Sequence, residues 1–132
     1  MADAEPQPLR PFSGFAVDDV PAAHRFYRDV LDLATSRAGE QLWLHLPGGA
    51  DVLVYPRADH TPAGYTVLNF PVEDIDAAVD RLVGRGVTFE RFAGYDTDER
   101  GVYRGVDRGD GPLIAWFRDP AGNILSILQE TP

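Results

Sequence analysis

The second half of this chain repeats the first, and that repeat limits the folds open to it more than any other feature. Placing Phe12 on Val67 also sets Phe15 on Phe70, Val17 on Val72, Asp19 on Asp74, Val20 on Ile75, and Ala22-Ala23 on Ala77-Ala78, all at one offset of 55 residues. Two copies of one supersecondary unit are therefore expected, each with an apolar face it cannot bury alone.

In the first copy, Phe12 to Val17 reads as a strand. Asp18-Asp19 offers an N-cap, with Pro21 in the first turn, where its missing N–H costs nothing. Val20, Ala23, Tyr27, Val30 and Leu31 recur at helical spacing, leaving His24, Arg25 and Arg28 outside the stripe. A weak strand near Thr35 follows. From Gln41 to Leu46 the pattern alternates, with Leu42, Leu44 and Leu46 on one face and Gln41, Trp43 and His45 on the other. Pro47-Gly48-Gly49 turns the chain, and Asp51 to Tyr55 returns as a strand.

In the second copy, Asp74 caps a helix with the stripe Ile75, Ala78, Val79, Leu82 and Val83, ended by Gly84 and Gly86. Val87 to Phe92 is the next strand. Asp119-Pro120-Ala121-Gly122-Asn123 then forms a turn with a mechanism: proline fixes φ, glycine supplies a positive φ, and Asp and Asn bond their own backbone. It joins two apolar strands as a hairpin. Pro47-Gly48-Gly49 matches Pro120-Ala121-Gly122 at an offset of 73, and Gly94 to Gly111 supplies the 18 extra residues. The organisation is an arm at 1–11, a first module at 12–56, a linker at 57–64, and a second module at 65–129 with its inserted loop at 94–111.

Composition removes several function classes. The chain has no cysteine, so disulfides, thiolate metal sites and cysteine nucleophiles are excluded. All twelve basic residues are arginine, which rules out a Schiff-base lysine and a P-loop. The net charge of −9 argues against nucleic acid and permits a cationic ligand. No apolar run reaches membrane-spanning length and Met1 to Pro11 lacks the order of a signal peptide, so a soluble cytoplasmic protein is expected. Its arginine-only, alanine- and glycine-rich usage suggests a GC-rich bacterial genome.

The Asp119-Pro120-Ala121-Gly122-Asn123 turn, the helix end Phe26-Tyr27-Arg28-Asp29-Val30-Leu31, and the tandem β-α-β-β-β order together resemble the vicinal-oxygen-chelate (VOC) superfamily across residues 12–129. That superfamily includes glyoxalases, bleomycin-resistance proteins and extradiol dioxygenases. A ferredoxin-like domain also alternates strands and helices, but leaves the duplicated three-strand tail unexplained. The resemblance implies an α+β chain of two tandem βαβββ modules, forming a curled mixed sheet with a ligand on its concave side. Its enzymes usually chelate one divalent metal from the first and last strands of each module. Those positions fall here on Phe12, Leu53, Val67 and Ser126, none a normal ligand for such an ion. No cofactor is therefore expected, and shifts of one residue along each strand still give no metal cage.

Strand parity then proposes a cavity. If 12, 53, 67 and 126 point inward, so do Gly14, Asp51, Tyr55, Tyr65, Asn69, Ile124 and Leu128, with Val52, Val54, Leu125 and Ile127 beneath the helices. Trp43 and His45 join the inward set if the leucine face of their strand packs on a helix, the alternative being a plain polar outer face; Trp116 joins it as well, and Tyr103 and Arg104 are the side chains of the insertion best able to reach a ligand. Phe12, Trp43, His45, Tyr55, Val67, Asn69, Tyr103, Arg104, Trp116 and Ser126 are thus the candidate ligand-binding residues. The alternative is that the aromatics fill the half-barrel. His24 and His60 read as solvated helix and linker residues. Asp96-x-Asp98 with Gly101 suggests a calcium loop, but Arg100 stands where an oxygen ligand is required. The resemblance then implies a homodimer of bleomycin-resistance type that sequesters a small aromatic or cationic molecule. The alternative is a glyoxalase-like lyase or dioxygenase using His45, His60, Asp51 or Glu90, or acid–base catalysis through His45 or Asp51.

Overall fold

The computed structural model describes residues 7–105 and 111–130; residues 1–6 of the arm and 106–110 of the insertion lie outside them. Along the chain run β1 (Ser13–Val17), α1 (Val20–Arg25), a π-helical turn (Phe26–Val30), β2 (Ala34–Ala38), β3 (Gln41–His45) and β4 (Asp51–Pro56). The second module holds β5 (Thr66–Pro71), α2 (Ile75–Gly84), β6 (Phe89–Glu90), β7 (Leu113–Arg118) and β8 (Ile124–Gln129). This is an α+β fold with two four-stranded mixed sheets, β1-β4-β3-β2 and β5-β8-β7-β6. In each, the first strand runs parallel to the last, and the other pairs are antiparallel.

Both helices start as their caps dictate. The Asp19 side chain accepts from the Ala22 N–H at 3.0 Å, and the Asp74 side chain accepts from Ala77 at 3.1 Å. The first helix then widens, Leu31 N–H bonding the Phe26 carbonyl at 3.2 Å, five residues back. Within the wider turn Val30 and Leu31 are only half-buried, while neighbouring Phe26 and Tyr27 both meet the second module. Two expectations change in that module. Val83 is 54% exposed and lies outside the stripe of α2. The strand expected over Val87 to Phe92 pairs only at Phe89 and Glu90, because the chain leaves the sheet there for the insertion.

One core joins the modules, with Val17, Leu42, Leu44 and Val54 from the first and Ile75, Phe117, Leu125 and Ile127 from the second. Polar contacts pin this joint. Tyr27 Oη–H donates to Asp119 Oδ2 at 2.7 Å, and Asn123 Nδ2–H donates to the Ala16 carbonyl at 2.9 Å. The Asp119 to Asn123 turn thus closes its own hairpin and fastens it to β1 and the π turn. Gly122 at φ +87° is required twice over, since a Cβ there would also meet Pro62 Cγ at 2.9 Å.

Candidate functional site

Register places equivalent residues of the two sheets in parallel rows. In the first, Ser36 lies opposite Trp43, Trp43 opposite Leu53, and Leu53 opposite Gly14. In the second, Glu90 lies opposite Trp116, Trp116 opposite Ser126, and Ser126 opposite Asn69. Residues directly opposed share a face, and the flanking Leu42, Leu44, Ala115 and Phe117 are buried in the core. The chain's two tryptophans therefore occupy the same position in the two modules, each on the face turned from the core.

Around Trp116, Phe92 and the insertion build an aromatic wall. Its ring centroid lies 4.9 Å from Tyr95, 5.8 Å from Phe92 and 6.4 Å from Tyr103. Tyr103 is held by two backbone bonds to Ile114 of β7, at 2.7 and 3.2 Å. A hollow of about 400 Å³ opens beside this wall, lined by Tyr65, Thr66, Phe92, Tyr95, Trp116 and Ile124. At its rim the Arg118 guanidinium stacks 5.7 Å over Phe92 and pairs with Glu90 at 3.0 Å. Beside Trp43 a second open hollow of about 860 Å³ is lined by Phe12, Trp43, Leu46, Asp51 and Leu68 among others, with Phe12 edge-on to Trp43 at 5.0 Å.

The single cavity expected from strand parity is divided. Phe12 and Trp43 line one hollow with His45 next to it, Trp116 lines another backed by Tyr103, and Tyr55 and Val67 line a third between β1 and β5. Val67 differs in register because a bulge between Thr66 and Leu68 resets the alternation, leaving Asn69 opposite Ser126. Arg104 does not reach the hollow. Its guanidinium donates to Asp98 and to Asp76 on α2, both at 2.7 Å. Burial pushes the Asp98 carboxyl up, but the Arg104 bond and the N–H groups of Val102 and Arg100 outweigh it and hold its pKa low. Ser36, Phe92 and Tyr95 were not anticipated. The strand near Thr35 lacked a register to fix Ser36, and nothing local to Phe92 or Tyr95 shows that the insertion folds back on β7.

The four positions to which the resemblance assigns metal ligands do not fit a metal. Leu53 offers no donor, and the Ser126 hydroxyl donates to Asn69 Oδ1 at 2.6 Å. The substitute ligands are engaged elsewhere: His45 with Asp51 and Ser36, His60 with the Ala121 carbonyl, and Glu90 with Arg118. Among the described residues no three His, Asp or Glu side chains are grouped to hold an ion.

A family model described as the Glyoxalase/Bleomycin resistance protein/Dioxygenase superfamily matches residues 12–127. No curated protein sequence matches. Solved structures similar to this chain include a lactoylglutathione lyase from Agrobacterium tumefaciens, with 23% identity over 94% of this chain and 95% of that one, at TM-score 0.63. The fosfomycin resistance protein FosX from Listeria monocytogenes is 12% identical, with 95% of each chain covered, at TM-score 0.67. TnmS3, an antibiotic binding protein from a Streptomyces species, is 19% identical over 95% of this chain and 99% of that one, at TM-score 0.65.

Proposed function

The chain belongs to the glyoxalase/bleomycin resistance protein/dioxygenase superfamily, and from that premise we propose that it binds a small planar aromatic molecule, preferring a cation, without a metal. The observation that carries this is the aromatic wall of Phe92, Tyr95, Tyr103 and Trp116 beside an open hollow. Aromatic faces bind flat rings by stacking and cations through their quadrupole. A net charge of −9 raises the local concentration of a cation. That an antibiotic binding protein shares the fold supports a reading in which a small molecule is bound. Lyase or dioxygenase chemistry on a metal held by substitute ligands lacks support, since the His45–Asp51 pair, His60 and Glu90 stand in three separate contacts.

The working form in this reading is a cytoplasmic homodimer. Each chain presents Trp43 in one open hollow and Tyr65 and Tyr95, over the buried Trp116, in another, and a second copy brings the face of one module against that of the other. Exposed Phe12 and Tyr65, at 58% and 71%, border these hollows and suit such a contact.

The test uses W43F, which leaves Trp116 as the reporter, titrated with ethidium as a planar aromatic cation. Quenching of Trp116 fluorescence is expected. In the wild-type background, W116A is expected to weaken ethidium binding by about tenfold, a difference of about 1.4 kcal/mol. Equal affinity of W116A and wild type would remove the wall from the binding site.

A further inference from the structure

Outside the aromatic wall, the first module carries a second constellation. Ser36, His45 and Asp51 sit on the adjacent strands β2, β3 and β4, on the face turned from the core. Ser36 Oγ lies 2.8 Å from His45 Nε2, and His45 Nδ1 lies 2.8 Å from Asp51 Oδ1. An ionised carboxylate only accepts hydrogen bonds, so the proton between His45 and Asp51 belongs to Nδ1. Nε2 then carries the lone pair and accepts from the Ser36 hydroxyl. That order of atoms is what a serine nucleophile needs: a hydroxyl against a basic nitrogen, with the imidazole tautomer fixed from its far side.

We propose that Ser36 is a nucleophile toward small carboxylic esters, with His45 its general base and Asp51 a positioning residue. The trio is open to substrate, the His45 and Asp51 side chains being 41% and 48% exposed. Trp43, directly opposite Ser36, and Asp51 line the same hollow as Phe12, so an apolar or aromatic ester group has a surface to rest on. β2 is the outer strand of its sheet among the described residues, so alternate backbone N–H groups along it lack a strand partner. These are donors available to a developing oxyanion.

In the first step, Ser36 Oγ bonds to the carbonyl carbon as its proton passes to His45 Nε2. The ester C–O bond then breaks, and the departing alkoxide or phenoxide takes that proton. Water adds to the acyl-serine by the same route, releasing the carboxylic acid and restoring Ser36.

The probe is 4-nitrophenyl acetate, followed by nitrophenoxide release and by mass spectrometry of the trapped protein. The expected result is an acetyl group on Ser36 and a rate that S36A and H45A each lower by about a hundredfold or more. D51N is expected to lower kcat with KM unchanged, a split that a purely structural role would not give. All three side chains are partly or fully exposed, so each variant is expected to melt near wild type. Wild-type hydrolysis by S36A, acetylation mapped only to another residue, or no turnover and no adduct at all would overturn the proposal and leave the trio a cross-strand clip.

Discussion

Asp119 shows how one buried side chain can hold two modules together. Its Oδ1 accepts from the N–H groups of Ala121 and Asn123 at 3.0 and 2.9 Å, while Oδ2 accepts from Tyr27 at 2.7 Å and Asn123 Nδ2 at 3.1 Å. Local donors shape the turn, and the Tyr27 hydroxyl, 92 residues away in sequence, ties it to the first helix. Y27F leaves the ring packed and removes that bond, so a loss of about 1–3 kcal/mol in urea unfolding at neutral pH is expected. Burial, then the nearby Asp119, pushes the Tyr27 pKa well up. The folded form keeps its proton while the unfolded tyrosine ionises, so this contribution is whole below pH about 10 and fades as pH rises past it. Unfolding midpoints measured from neutral to alkaline pH should fall less steeply in Y27F than in wild type.

At the scale of elements, the insertion is held from two sides near residues 100–104. Tyr103 pairs with β7, and on the other side Arg100 and Arg104 reach Asp76 and Asp80 on α2. Ion pairs that stay partly open to solvent, as these do, contribute little to global stability, typically about 1 kcal/mol or less each. R104A is therefore expected to change the melting temperature little, yet to speed protease cleavage within residues 95–105 and weaken ethidium binding, since Tyr95 and Tyr103 lose their backing. Unchanged cleavage would show that Tyr103 pairing alone fixes the loop. The elements themselves were legible because their signals are local: Asp19 and Asp74 as caps, the Leu42 and Leu44 alternation, and the Asp119 to Asn123 turn. The candidate site was less so. The bulge beside Val67, the fold-back of Tyr95 onto Trp116, and the alignment of Ser36 with His45 and Asp51 depend on long-range register, which no window of the sequence contains.

At the scale of the molecule, duplication supplied two equivalent faces, and divergence gave each a different lining. The first carries Trp43 with the Ser36, His45 and Asp51 chain; the second carries Trp116 under an aromatic loop. The acidic field of the whole chain acts on both. Raising salt from about 0.05 to 0.5 M should weaken ethidium binding several-fold while leaving a neutral planar aromatic nearly unaffected, because mobile ions screen the exposed charge. Equal salt dependence for both probes would remove net charge from the account. In the proposed function the aromatic wall holds the ligand and no metal takes part. A calorimetric titration with ethidium before and after exhaustive chelation of divalent ions tests it most directly. The same affinity in both titrations is predicted; binding lost on chelation and restored by Ni²⁺ or Zn²⁺ would contradict it.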